Sequence, residues 1–351
     1  MIAIIGNGIS GITAARHIRK NSDEEIVVIS SESKYFFSRT ALMYVYMGHM
    51  TFEHTQPYEP HFWEENKIDL IHDYVNKVDT ERKVLEFKGG GQLSYSKLII
   101  ATGSKPNKFG WKGQYAKRVS GLYSKQDLEY IEQCSEGLKT AVVIGGGLIG
   151  IELVEMFLSR NIEVHFIIRE ERFWDGVLPK ADAEFVMKHI SHHKGLTCHY
   201  STELDEILTN EQDEAIGIRT KNGDQIECQF VGLTPGVSPN VEFLKSSGIK
   251  IDRGIVIYRS FRTSAPDVYA IGDCAQFENP LPQRAAIEQV WYTGKFMGEL
   301  VAQVIHGESV EYNPGHWFNS AKFFDLEYQT YGIVENRLID SRDEVIYQDS
   351  K

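Results

Sequence analysis

The chain is 351 residues long and carries 37 Lys and Arg against 49 Asp and Glu, a formal net charge of −12. Hydrophobic residues make up 42% and charged residues 25%, the composition of a folded protein with a sizeable core, and the length predicts two or three domains at roughly 100–200 residues each. The acidic balance excludes a general nucleic-acid binder, whose affinity rests on Lys and Arg meeting phosphates, and counts against adhesion to an anionic membrane.

Ile2 to Ile5 reads as a buried strand and runs into GNGISG, with glycines at Gly6, Gly8 and Gly11. An apolar helical stretch follows through Ile18, then a second strand from Glu25 to Ile29, with Glu32 just past its end. Strand, glycine turn, helix, strand and acid together form the βαβ unit that takes a dinucleotide. Ser38 to Gly48 predicts a helix, and Lys97 to Gly103 a buried strand ending in a tight turn, with Lys105 to Gly113 as a connector. The dinucleotide pattern then recurs about 140 residues after its first appearance: a strand over Thr140 to Ile144, GGGLIG with Gly145, Gly147 and Gly150, a helix from Ile151 to about Ser159, and a strand from Glu163 to Ile168. Two such units predict two dinucleotide sites. Val268 to Ile271 reads as a strand ending at Gly272 and Asp273, Arg284 to Val304 as a long amphipathic helix, and Trp317 to Tyr347 as strand-like alternation of aromatic and charged residues.

Each glycine turn has a job. The first glycine permits the tight turn, the second lets backbone approach a pyrophosphate, and the third lets helix pack on strand. The pyrophosphate then meets the free N–H groups and positive dipole end of the helix. An acid past the second strand accepts hydrogen bonds from both ribose hydroxyls, the role given to Glu32. Nine aromatics lie between Tyr35 and Trp63, and helix packing accounts for most of them. His189, His192, His193 and His199 cluster in KHISHHKGLTCHY. His189 and His193 are spaced i, i+4 and would face one ion on a helix, but no neighbouring acid or cysteine completes a site, so no metal is expected.

Four motifs in order, GNGISG with Glu32, IIATGSKP, VVIGGGLIGIE and TSAPDVYAIGDCA, resemble the two-dinucleotide flavoprotein disulfide-reductase superfamily from residue 1 to about 312. The resemblance implies an α/β fold of two doubly wound, Rossmann-like domains of the glutathione reductase kind. The FAD domain would be discontinuous, over 1–110 and 238–312, with the NAD(P)H domain inserted at 111–237. Residues 313–351 would be the remnant of a reduced or truncated C-terminal interface domain. The implied cofactors are FAD and NAD(P)H. Gly6, Gly8, Gly11 and Glu32 would hold the ADP half of FAD, Gly272 and Asp273 its flavin-side hydroxyls, and Val75, Ala101, Thr102 and Gly103 its flank. Gly145, Gly147, Gly150 and Arg169 would hold the nicotinamide dinucleotide.

Glu32, Phe37, Arg39 and Leu42 resemble the ferredoxin, rubredoxin and nitrite reductase branch, which makes Arg39 an FAD contact. That branch's ferredoxin reductases carry a lysine five residues after this arginine, paired with the glutamate of GGGxIGxE near the flavin. Here Tyr44 stands in its place and Glu152 is kept. Trp291, in IEQVWYTG, matches a tryptophan near flavin and nicotinamide, with a core position on the long helix as the other reading. Glu152, Tyr44 and Trp291 are the candidate catalytic residues. The Ser38–Gly48 stretch has no cysteine, which rules out dithiol exchange and cysteine-sulfenate chemistry there, and Cys274 reads as a small buried hydrophobe. At the acid position expected after the second unit's strand stands Ile168. Arg169 and Arg172 tip the choice toward NADPH, while Glu170 and Glu171 between them oppose a phosphate, and the nucleotide choice stays open.

The reading is therefore an FAD-dependent NAD(P)H oxidoreductase: hydride from NAD(P)H to FAD, then electrons to an acceptor. The resemblance points to a small iron–sulfur carrier such as ferredoxin or rubredoxin, with a quinone, another small molecule or oxygen also fitting. The rival is a flavin-binding interaction protein with weak turnover, like apoptosis-inducing factor. The four unpaired-looking cysteines, a start directly on a strand and the lack of a ~20-residue apolar span predict a cytoplasmic protein without a membrane segment. Oligomeric state is left open.

Overall fold

The computed structural model describes residues 1–332. The first sheet begins with β1 (Ile2–Ile5), followed by α1 (Ile9–Asn21), β2 (Ile26–Ser30), the short helix α2 (Leu42–Tyr46), β3 (Ile68–His72) and β4 (Lys97–Ile100). The chain leaves through β5 (Ser104–Pro106) and builds a second sheet from β6 (Val119–Ser120), β7 (Thr140–Ile144), β8 (Glu163–Ile167), β9 (Leu196–His199) and β10 (Phe230–Leu233). Helix α3 (Leu148–Ser159) joins β7 to β8, and α4 (Lys180–Ile190) joins β8 to β9. The return runs through β11 (Val237–Pro239), antiparallel to β5, and β12 (Val268–Ala270) then completes the first sheet. The strand orders are β12-β4-β1-β2-β3 and β9-β8-β7-β10-β6, parallel throughout.

Parallel strands need both faces covered, and these are near-continuous runs of Val, Ile and Ala. Ile2, Ala3 and Ile4 of β1, Leu98 to Ile100 of β4, and Ala141 to Val143 of β7 are fully buried. Helix α5 (Trp291–Ile305) packs on α1 at close range, because a Cβ at Gly298 would stand 2.6 Å from the Ser10 carbonyl oxygen. Cys274 is fully buried and burial pushes its thiol up to about 11, as a small core residue behaves.

Two elements differ from the sequence expectation. The helix expected over Ser38–Gly48 is a 3-10 turn at Arg39–Ala41 followed by the five residues of α2. The long helix expected from Arg284 begins only at Trp291, because the stretch before it is claimed by tertiary bonds: the Ala286 carbonyl accepts from the Phe277 N–H at 2.8 Å, and Arg284 and Glu288 pair with each other in the interior. In the last segment, β13 (Phe318–Phe323) and β14 (Leu326–Tyr331) form an antiparallel hairpin. The strand-like pattern expected onward to Tyr347 lies outside the described residues. The hairpin docks on the second nucleotide unit through Phe323, fully buried edge-on against Phe173 and Trp174. No helix among the described residues is long and apolar enough to cross a membrane.

Candidate functional site

A cavity of about 500 Å³ opens at the carboxyl ends of the first sheet, where β1 is flanked by β2 on one side and β4 on the other. This reversal of strand order is where doubly wound sheets take their ligands. Of the residues assigned to FAD from sequence, Gly6, Gly8, Glu32, Arg39, Val75, Ala101, Thr102, Gly103, Gly272 and Asp273 all line it, and so does Trp291. Gly11 stands behind, where α1 meets its own loop: a Cβ there would lie 2.0 Å from the Gly6 carbonyl oxygen.

The two glycine turns have the same construction. Gly6 has φ +112°, and a Cβ on it would lie 2.1 Å from the Ala101 carbonyl oxygen; Gly145 has φ +116° and the Thr234 carbonyl oxygen at 2.4 Å. Only glycine fits at either place. A Cβ on Gly8 or Gly147 would meet nothing within 4 Å, so these residues leave open space for a ligand beside the helix N-terminus, while Gly150 crowds the Gly145 carbonyl oxygen at 2.1 Å as Gly11 crowds that of Gly6. The first glycine of each turn donates its N–H to the neighbouring strand, Gly6 to Ile29 at 2.8 Å and Gly145 to Ile167 at 3.0 Å. Counting from these anchors, Glu32 lies three residues past Ile29 and Glu170 three residues past Ile167. By that count Glu170 stands in the second unit where Glu32 stands in the first, while Ile168 is fully buried with its side chain against Gly146 of the turn.

Around the first turn, the Glu32 carboxylate takes both Arg39 guanidinium nitrogens at 2.9 and 2.5 Å and the Lys125 backbone N–H at 2.9 Å. Arg39 also donates to the Tyr123 carbonyl and lies over the Tyr123 ring at 4.5 Å. Asp273 is half-buried in the cavity wall and desolvation there raises its pKa, against the pull of the Ser104 hydroxyl, which donates to it at 3.2 Å. Gln289 in turn donates to the Ser104 oxygen at 2.7 Å. Thr102 donates to the Asn240 carbonyl at 2.8 Å, tying the β4 turn to the returning chain. Ser104, Gln289, Tyr123 and Asn240 line the cavity and were not singled out from sequence. Ser104 and Gln289 sit inside motifs already noted, IIATGSKP and IEQVWYTG; Tyr123 and Asn240 carry no such signal.

The three catalytic candidates are placed differently. Trp291 is the first residue of α5, 40% exposed, and walls both the main cavity and a smaller one of about 270 Å³, so it is no core tryptophan. Tyr44 and Glu152 do not line the main cavity. They share a neighbourhood between α2 and α3: the Tyr44 hydroxyl is made less acidic by burial and then by the charges of Glu155 and Glu152. Burial, then Glu155, push the Glu152 carboxyl up to about 7, and among the described residues no hydrogen bond or ion pair reaches it. Tyr44 stacks on His49 at 6.0 Å.

In the second unit Arg169 pairs with Glu170 at 2.7 Å, and Arg172 with Asp175 at 2.5 Å. Both arginines meet a carboxylate. Of the histidine cluster, His189 lies in the last turn of α4 and His193 just beyond it. The sequence offered no acid to complete this pair, but the fold brings one: Asp325, in the turn between β13 and β14, accepts from His189 at 2.6 Å.

The sequence pattern of the pyridine nucleotide-disulphide oxidoreductases matches residues 1–292, and the chain belongs to that family. It is 30% identical over 278 residues to the nitrite reductase [NAD(P)H] of Bacillus subtilis, covering 78% of this chain and 34% of the relative, so it spans about a third of that protein. It is 29% identical over 346 residues to an NADH oxidase of Methanocaldococcus jannaschii, covering 94% of this chain and 75% of that one. Among solved structures, the NADH:rubredoxin oxidoreductase of Clostridium acetobutylicum superposes with a TM-score of 0.75 at 26% identity, over 92% of this chain and 82% of the other.

Proposed function

We propose that this chain is an FAD-dependent NAD(P)H oxidoreductase that works without a redox-active disulfide. The observation that carries the reading is the pair of glycine turns built alike, the first opening on a cavity walled by Glu32 and closed by Asp273. The cavity suits FAD on its own chemistry. The open space at Gly8 lies at the N-terminus of α1, where free N–H groups favour a pyrophosphate. Glu32 supplies acceptors for ribose hydroxyls, and Asp273 supplies a carboxylate for hydroxyls nearer the ring. When bound, FAD supplies a ring that takes a hydride from a nicotinamide and passes electrons on.

The chain's own work is placement. Arg39 orients Glu32 and adds positive charge beside the phosphates. Trp291 walls the space where flavin and nicotinamide meet and keeps water out. Glu152 has a pKa near neutrality and stands ready to hold or release a proton beside Tyr44. The division of labour we propose is an FAD domain over 1–110 and 238–312 and a nicotinamide domain over 111–237, joined where β5 and β11 run side by side. The relative named for rubredoxin supports a small iron–sulfur carrier as acceptor. Free cysteines support a reducing, cytoplasmic setting.

An anaerobic titration of the FAD-loaded protein with NADH and NADPH in parallel tests this. Rapid bleaching of the oxidised flavin band, followed by repeated turnover on adding rubredoxin, is the expected result. Slow bleaching with a lasting binary complex would favour the flavin-binding interaction protein instead. That second reading draws its support from Tyr44, which leaves Glu152 without a cationic partner.

A further inference from the structure

We infer that His189, His193 and Asp325 form a binding site for one transition-metal ion of the zinc type, which clamps the tip of the C-terminal hairpin onto the second nucleotide unit. One nitrogen from each imidazole and one carboxylate oxygen lie within 4.8 Å of one another. The two rings stand nearly perpendicular, 78° apart with centroids 5.6 Å from each other, so they do not stack and close the space between them.

The donor set selects the ion. Two imidazoles and one carboxylate suit Zn²⁺, Co²⁺ or Ni²⁺, whereas Ca²⁺ and Mg²⁺ take oxygen ligands almost throughout. A tetrahedral ion with bonds of about 2.0–2.2 Å holds its ligands roughly 3.3 Å apart. The present His189–Asp325 contact of 2.6 Å would widen slightly and the 4.8 Å limit would shrink. Asp325 has the freedom to make that adjustment, because its side chain is 75% exposed.

A second observation points the same way. His193 Nε2 is buried and has no hydrogen-bond partner among the described residues. Buried polar atoms are nearly always satisfied, and an orphan signals a missing ligand, water or ion. The His193 ring is meanwhile fixed in place, stacked on Phe324 at 3.8 Å. The hairpin tip is held from a third side by the Glu155 carboxylate, which accepts the Phe324 N–H at 2.7 Å. An ion here would join α4, the hairpin and, through Glu155, the helix that carries Glu152.

The test uses the tag-free, FAD-loaded protein, stripped of metal with a chelator and titrated with ZnCl₂ by calorimetry. The expected result is one equivalent bound with a dissociation constant at or below about 10 µM, weakened at least tenfold in Asp325→Asn and in His193→Asn. Asp325→Asn is nearly isosteric and on the surface, so it keeps the fold if His193→Asn does not. Zinc should also slow amide exchange in residues 318–331 of the wild type and leave that of Asp325→Asn unchanged. No binding below about 100 µM, or equal affinity in wild type and Asp325→Asn, would overturn the site and leave an ordinary His–Asp pair. Flavin reduction by nicotinamide does not depend on this result, so the two proposals fail separately.

Discussion

Glu152→Gln isolates a carboxyl that the fold holds near neutrality. In the unfolded chain a glutamate titrates near its ordinary 4.5; in the fold, burial and then Glu155 raise Glu152 to about 7. Between those values the folded protein keeps a proton that the unfolded chain gives up. Stability from this group is therefore full below pH 4.5, declines as pH rises, and is gone above pH 7, where an ionised carboxylate sits in poor solvation. At 1.36 kcal/mol per pH unit the full cost is about 3 kcal/mol, and about 2–3 is the better figure because part of the residue reaches solvent. Glutamine is neutral at every pH. The variant should match the wild type to within about 1 kcal/mol at pH 5 and exceed it by about 2–3 kcal/mol at pH 8.5. With ~2 °C per kcal/mol for a chain of this size, that is a Tm gain of about 4–6 °C, read by circular dichroism on FAD-saturated samples at both pH values. An equal Tm difference at the two pH values, or a loss at pH 8.5, would refute the reasoning and mean that the carboxylate is charged and partnered in the fold.

Three further outcomes follow from the geometry. Gly6→Ala places a methyl 2.1 Å from the Ala101 carbonyl oxygen in a backbone conformation alanine avoids, so flavin absorbance in the purified protein should fall at least about tenfold. Phe323→Ala removes a fully buried ring that packs edge-on against Phe173 and Trp174 and should cost about 3–5 kcal/mol locally, seen as faster proteolysis of the hairpin while flavin stays bound. With Glu170 at the position equivalent to Glu32 and both arginines facing carboxylates, kcat/KM should favour NADH over NADPH, and Glu170→Ala should narrow that preference; a native preference for NADPH would show that Arg169 leaves Glu170 for the phosphate.

Much of this architecture was legible because dinucleotide sites are made from backbone. A glycine turn has to be glycine at the positions where a Cβ would strike a carbonyl, so Gly6 and Gly145 announce themselves in the sequence, and the strands around them are apolar because parallel sheets are covered on both faces. What stayed hidden depends on contacts distant in sequence. Helix α5 starts seven residues later than its periodicity suggested, because Ala286 and Glu288 are committed to Phe277, Arg284 and Tyr312. Tyr123 and Asn240 enter the cavity from the linkers and have no local pattern. Asp325 joins the histidines across a gap that only the docked hairpin closes. Glu170 was in plain view, but its equivalence to Glu32 appears only when both are counted from the hydrogen bond made by the first glycine.

The paired strands β5 and β11 have a consequence for modularity. Neighbouring antiparallel strands lie about 5 Å apart, so the outgoing and returning ends of the 111–237 stretch are side by side. The bond from Asn107 N–H to the Gly236 carbonyl at 3.0 Å extends that closure one step further. A unit whose two ends meet behaves as a cassette: the host sheet needs only a short bridge from Pro106 to Val237 to close without it. Such a shortened chain would retain every residue that lines the large cavity except Tyr123, Ser124 and Gln126, and under the proposed division of labour it would separate flavin binding from nicotinamide binding in a single molecule.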